Sequence, residues 1–275
     1  MKSQQEKGDA FRALHHGPSA FVIPNPWDIG TSMLLADAGF AALATTSAGY
    51  AFSIGRPDNA VGRDEMMKHV AQITAATDLP VSGDLENGYG DTPEAVAETI
   101  RLAAANGLVG CSIEDSTTRP DDPIYAFDLA VERIRAAAAA ARALPFTFTL
   151  TARCENFLVG RADMPDTLRR LEAYRDAGAD VLYAPALKTI DDVKTVVRAV
   201  DGPVNVLAGS QAFTVQALSD VGVKRISLGS LLTCAAYGEV RRAVDEIRTE
   251  GSFGFATRVA PYGVLNPFFK RAGRG

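Results

Sequence analysis

Eight times along this chain a short apolar run of strand length gives way to a stretch with helical spacing, and no other feature of the sequence constrains the fold as strongly. Strands are expected at Phe21 to Pro24, Phe40 to Thr45, Pro80 to Asp84, Val109 to Glu114, Phe146 to Ala152, Val181 to Ala184, Val204 to Leu207 and Arg225 to Leu228. The helical stretches fall at Ile29 to Ala38, Arg63 to Thr77, Pro93 to Ala105, Phe127 to Ala143, Pro165 to Ala177, Ile190 to Val200, Phe213 to Ser219 and Leu231 to Thr249. A helix between successive strands returns the chain so that the next strand runs parallel, and eight such units predict a (β/α)8 barrel of the TIM type, with a doubly wound open sheet as the alternative.

The punctuation agrees. Thr92 before Pro93, and Asp163 with Asp166 around Pro165, read as helix starts. Gly39, Gly107, Gly178 and Gly222 stand where a helix should end in a left-handed cap. No Ser/Gly linker divides the chain, so residues 1–275 are expected to form one barrel domain, with a helical lead over 1–19 and an aromatic, turn-rich tail over 250–275 that needs a surface to cover.

Composition matters mainly for what it excludes. Hydrophobic residues at 47% and charged residues at 22% argue against disorder. A net charge of −5 without a basic block speaks against nucleic acid. Ala38 to Gly55, an uncharged stretch of a length no other exceeds, is too polar to span a membrane, and the N-terminus lacks the apolar core of a secretory signal, so a cytoplasmic protein is expected. Cys111, Cys154 and Cys234 form no CxxC pair and are each expected to be small buried residues. His15, His16 and His69 avoid the strand ends, which disfavours a Ser-His-Asp triad or a histidine-ligated zinc.

A barrel places its working groups where strands end. Asp84 and Glu86 follow strand three, Glu114 ends strand four, and Arg153 lies on strand five. Neighbouring carboxylates repel unless a cation joins them, and hard oxygen ligands suit Mg²⁺. The competing reading is that these carboxylates only pair with Arg153 or cap the next helices. Gly209-Ser210 and Gly229-Ser230 follow strands seven and eight, as phosphate cradles or as plain turns.

Four segments carry a resemblance: Ser53-Ile54-Gly55-Arg56-Pro57-Asp58, Asp84-Leu85-Glu86-Asn87-Gly88-Tyr89-Gly90, Ile113-Glu114-Asp115 and Thr151-Ala152-Arg153. In order and spacing they are similar to the isocitrate lyase/phosphoenolpyruvate mutase superfamily over nearly the whole chain. The resemblance implies Mg²⁺, with Mn²⁺ as a substitute, held directly by Asp84 and through water by Asp58, Glu86 and Glu114. Glu86 stands where aspartate is commoner. It further implies that backbone amides of Thr46, Ser47 and Ala48, with Arg153, bind the substrate carboxylate, and Asn205 on strand seven joins the substrate-binding candidates.

The implied chemistry is a lyase reaction on a small 2-oxo or 2-hydroxy carboxylic acid, by isocitrate-like C–C cleavage or oxaloacetate-type decarboxylation through a metal-stabilised enolate, with Glu114 and Arg153 in catalytic roles. The implied assembly is a homotetramer in which the eighth helix packs on a neighbour. One departure stands out. The loop after strand four, Asp115 to Tyr125, lacks the Lys-Lys/Arg-Cys-Gly-His stretch of the lyases and the lysine and asparagine of the phosphonate enzymes. A phosphonopyruvate-type C–P enzyme and a non-catalytic 2-oxo acid binding barrel therefore stay as alternatives, Tyr125 becomes the candidate proton donor, and residues 116–125 the candidate lid.

Overall fold

A computed structural model describes residues 2–272. After α1 (Gln4–Leu14) the chain runs β1 (Phe21–Ile23), α2 (Ile29–Asp37), β2 (Leu43–Ala44), α3 (Ser47–Ser53), α4 (Arg63–Ala75), β3 (Val81–Asp84), α5 (Pro93–Ala105) and β4 (Gly110–Glu114). It continues through α6 (Phe127–Arg142), β5 (Thr149–Arg153), α7 (Met164–Asp176), β6 (Val181–Tyr183), α8 (Ile190–Ala199), β7 (Val204–Leu207), α9 (Val215–Asp220), β8 (Arg225–Ser227) and α10 (Leu231–Glu250). All eight strands are parallel, in the spatial order β1-β8-β7-β6-β5-β4-β3-β2. The hydrogen bond from Ala44 N–H to Pro24 C=O at 3.0 Å draws the two ends together into the expected (β/α)8 barrel.

The helix signals act as read. Thr92 and Asp163 accept hydrogen bonds from Ala95 N–H and Asp166 N–H, and the four cap glycines have φ between +85° and +107°. The main core lies between sheet and helices and includes Ile73, Leu85, Ile100, Leu108, Leu150 and Val196. Inside the barrel the layer is polar: Ser82, Ser112, Thr151, Asn205 and Arg225 are buried there. α1 closes the lower end. Phe11 is fully buried, and a side chain at Gly8 would meet the Thr147 carbonyl at 2.1 Å, so only glycine lets the helix seat this closely.

Three expectations need correction. The second strand is only Leu43–Ala44, because Phe40 belongs to the turn after α2. The tail is helical, with a 3₁₀ turn at Gly254–Arg258 and α11 at Tyr262–Ala272, while residues 273–275 lie outside the described residues. Cys111 and Cys154 are buried, but Cys234 is exposed on α10.

The lower plug has a pH consequence. His15 Nδ1 lies 2.9 Å from Phe11 C=O, the ring packs edge-on against Phe11 and Phe21, and burial followed by the nearby Arg225 charge pushes its pKa down to about 3. His69, stacked on Tyr50 at 3.8 Å, is pushed down to about 4 by burial. An unfolded histidine takes a proton near pH 6.5, so the unfolded state binds more protons below that pH and stability falls as pH drops towards 3. Each buried histidine should contribute a slope of roughly 1.4 kcal/mol per pH unit in that window. Denaturant titrations at pH 6.5 and 4.5 should show His15→Gln losing less stability than the native chain on acidification.

Candidate active site

The site assembles at the upper ends of β3, β4 and β5. Register places Glu114 of β4 beside Arg153 of β5, and Asp84 beside Ser112. Arg153 Nη1 donates to Asp84 Oδ1 at 3.0 Å and Nε to Glu155 Oε1 at 2.9 Å, while Nη2 pairs ionically with Glu114 Oε2 at 3.0 Å. Its guanidinium also lies 5.3 Å from the Tyr183 ring centre. Of the two readings open at the sequence level, pairing with Arg153 therefore holds for Asp84 and Glu114. It does not hold for Glu86 or Asp58, neither of which forms an ion pair among the described residues.

One cation among five carboxylates leaves an excess of negative charge. Burial, then Asp84 and Asp58, push the Glu86 carboxyl up to about 8. Burial also raises the pKa of Glu114 against the opposing pull of Arg153, and that of Asp58, whose turn is exposed but whose carboxyl faces Asp84 and Ser47. Glu86 is held in the left-handed region at φ 49°, a strained posture for a glutamate that fixes where its side chain leaves the backbone. This donor set fits a hard divalent cation in kind. No group of three His, Cys, Asp or Glu among the described residues converges closely enough to enclose a metal, but a Mg²⁺ ion that keeps its waters needs only one or two direct carboxylates.

Asp84 is positioned from a second side. Its Oδ2 accepts from Ser47 N–H and Ser47 Oγ, both at 3.1 Å, and its own N–H donates to Thr45 Oγ1 at 2.9 Å. The Ser47 amide, expected to serve the substrate carboxylate, is thus turned to Asp84 in this state. Thr46 caps α3 through Gly49 N–H at 3.1 Å. Thr46, Ser47, Ala48, Asp58, Asp84 and Arg153 line one cavity of about 270 Å³, with Tyr183, Leu158, Leu207, Gly209, Gly229 and Ser230 completing the wall. Below it a smaller cavity of about 40 Å³ shares Asp84, Arg153, Tyr183 and Gly229.

Glu86 and Glu114 line neither cavity, and two further candidates, Tyr125 and Asn205, fall elsewhere. Tyr125 lines neither cavity: its hydroxyl donates to Asp91 Oδ1 at 2.5 Å and accepts from Asn87 Nδ2 at 3.2 Å, and its ring covers Arg133 at 4.0 Å. Burial, then the Asp91 hydrogen bond, push the phenol up to about 12. It anchors the loop rather than facing a substrate. Asn205 lies inside the barrel, giving Nδ2 to Ser227 Oγ at 3.0 Å, and lines neither cavity. The loop expected as a lid is tied at its base by the Ser116 to Ile124 bridge and by Asp115, which accepts from Tyr174 Oη at 2.6 Å and Arg170 Nη1 at 3.2 Å. Of the two glycine turns, the Gly229 amide is spent on Asn25 Oδ1 at 2.9 Å. Glu155, Tyr183 and Asn25 went unselected in the sequence, although Glu155 and Tyr183 stand at strand ends like the residues that were chosen.

With this geometry in place, a family profile described as phosphoenolpyruvate phosphomutase matches residues 11–248. The chain belongs to that family. An uncharacterized protein of Mycobacterium tuberculosis strain H37Rv is 33% identical to this phosphomutase-family chain over 242 residues, 86% of this chain and 89% of its own length. The 2-methylisocitrate lyase of Salmonella typhimurium is 27% identical over 259 residues, 90% of this chain and 85% of its own. Among solved structures, a protein of Burkholderia cenocepacia J2315 provisionally described as a lyase/mutase superposes with a TM-score of 0.94 at 59% identity, covering 97% of this chain and 96% of its own. An oxaloacetate acetylhydrolase bound to its product oxalate gives 0.85 at 25% identity, covering 99% and 96%. No helix among the described residues is long and apolar enough to cross a membrane.

Proposed function

We propose that this phosphomutase-family chain is a Mg²⁺-dependent lyase acting on a small 2-oxo or 2-hydroxy carboxylic acid. The observation that carries the reading is the ring of carboxylates on Arg153, which leaves Glu86 uncompensated, as well as Asp58 on the wall of a cavity of about 270 Å³. The relatives named for 2-methylisocitrate and oxaloacetate point to the same substrate class. Asp84 would hold the ion directly, with Asp58, Glu86 and Glu114 acting through water; Mn²⁺ should substitute. When bound, the ion supplies positive charge where negative charge develops on the substrate oxygen.

Arg153 stabilises the same developing charge and orients the carboxylate end. When a C–C bond breaks, its electron pair remains on the departing fragment as an enolate, which needs a proton. No cysteine lines the cavity: Cys154 is buried in the core, where burial raises its thiol pKa. The only phenol on the wall is Tyr183, whose pKa burial pushes up to about 12, so it remains protonated at neutral pH and able to donate. Once a substrate is in hand, Tyr183→Phe should lower kcat by roughly 10²-fold, while Tyr125→Phe should change it little; the reverse ranking would assign the proton to the loop.

The exposed face of α10 supports the multimeric reading. This 20-residue helix buries only Thr233, and Leu231, Tyr237, Val240 and Val244 are exposed, as suits packing on a second copy in a homotetramer. Sedimentation velocity reads that state. The reading as a whole is tested by calorimetry and turnover assays with small 2-oxo and 2-hydroxy acids, with and without Mg²⁺; absence of both binding and turnover across that panel would overturn it.

A further inference from the structure

Beneath the substrate cavity, the barrel encloses a second charged group that the lyase reading does not use. Arg225, at the start of β8, is 4% exposed and reaches across the interior to β5, where Nη1 donates to Thr151 Oγ1 at 3.0 Å. That is its only side-chain hydrogen bond among the described residues. Nε is buried without a partner, and Arg225 forms no ion pair with a carboxylate among the described residues. Below it the Phe11 ring centre stands 5.9 Å from the guanidinium carbon, so the floor is apolar.

A guanidinium does not shed its proton in a protein, and a buried donor left without a partner is destabilising, the more so when charged, so an acceptor at hydrogen-bond distance from Arg225 would stabilise the barrel here. The nearest carboxylate is already committed. Asp84 gives one oxygen to Arg153 and the other to the Ser47 amide and hydroxyl. Arg225 instead lines the cavity of about 40 Å³, whose wall also includes Arg153, the hydroxyl-bearing Thr45, Ser112, Tyr183 and Ser227, and the committed carboxylate of Asp84. That space exceeds the roughly 10–15 Å³ needed to hold one water, which suits a small anion such as a halide or one carboxylate group.

We infer that this inner cavity is a binding site for a small monoanion, held by Arg225 and the surrounding hydroxyls beneath the substrate site. It is independent of the Mg²⁺ reading, since no metal is needed to hold the anion. Bromide is the probe. Anomalous diffraction from native crystals soaked in sodium bromide should place a peak in the cavity beside Arg225, and a map with only a water there overturns the inference. In solution, bromide should raise the native Tm by about 3 °C relative to gluconate at equal ionic strength, and Arg225→Met should lose that increment. An equal increment in the variant also overturns it. If Arg225→Met fails to fold, the native anomalous map decides alone. Adding oxalate to the bromide soak separates the sources: displacement of the peak assigns the site to a substrate carboxylate, and its persistence assigns it to a resident halide, both consistent with a monoanion site.

Discussion

In Asp84→Ala protein, Mg²⁺ affinity should fall by at least about 10²-fold, measured by calorimetry with the metal alone. Loss of even an outer-shell partner commonly costs 10–100-fold in metal affinity, and Asp84 is the proposed direct ligand. Asp84 also terminates two structural contacts, to Arg153 Nη1 and to Ser47, so a melting curve must accompany the titration. Asp84→Asn is the sharper control, because the amide preserves shape and some hydrogen bonding while removing the charge. Unchanged affinity in a folded Asp84→Ala protein would remove the metal from this site and leave the carboxylates as partners of Arg153 alone.

Arg153 gives the second large effect, with two variants that separate its roles. Arg153→Met leaves Asp84, Glu114 and Glu155 without their shared cation and should cost about 3–5 kcal/mol of stability, the range for breaking a buried pair by removing one partner. Arg153→Lys keeps a charge but cannot reproduce the forked geometry. Its stability should fall less, yet oxalate binding in the presence of Mg²⁺ should weaken about 10–100-fold, the equivalent of one charge-assisted hydrogen bond. The native protein should bind oxalate only with Mg²⁺ present, since a dianion entering a negatively charged ring needs an added cation. Equal oxalate affinity in Arg153→Lys and native protein would mean that the arginine serves the fold and not the ligand.

The barrel was legible because strand and helix periods differ, and eight alternations leave few topologies. Single strand-end residues were legible for the same reason: Asp84, Glu114 and Arg153 meet as their positions in the strands require. What escaped notice depended on contacts between distant segments. The short helix α3 has no apolar stripe; its Ser-Ala-Gly sequence is helical because Thr46 caps it and Asp84 engages Ser47. Tyr125 sits in the right loop, but its direction is set by Asp91, Asn87 and Arg133, whose approach no local pattern announces. Arg225 offered a signal, a charge at the first position of a strand, yet next to Lys224 it reads equally well as the polar end of the preceding turn.

The close seating of α1, with Gly8 against Thr147 and Phe11 beneath Arg225, also governs traffic. With α1 across the lower end, the inner cavity adjoins the larger chamber along the wall they share at Asp84, Arg153, Tyr183 and Gly229. An occupant of the inner cavity that enters from the upper rim would pass through the larger chamber first and would be held in while that chamber is filled. Entry by that route would make admission and departure a stack, last in and first out, and the kinetics of such a barrel would follow a fixed sequence of arrivals and releases and not a random one.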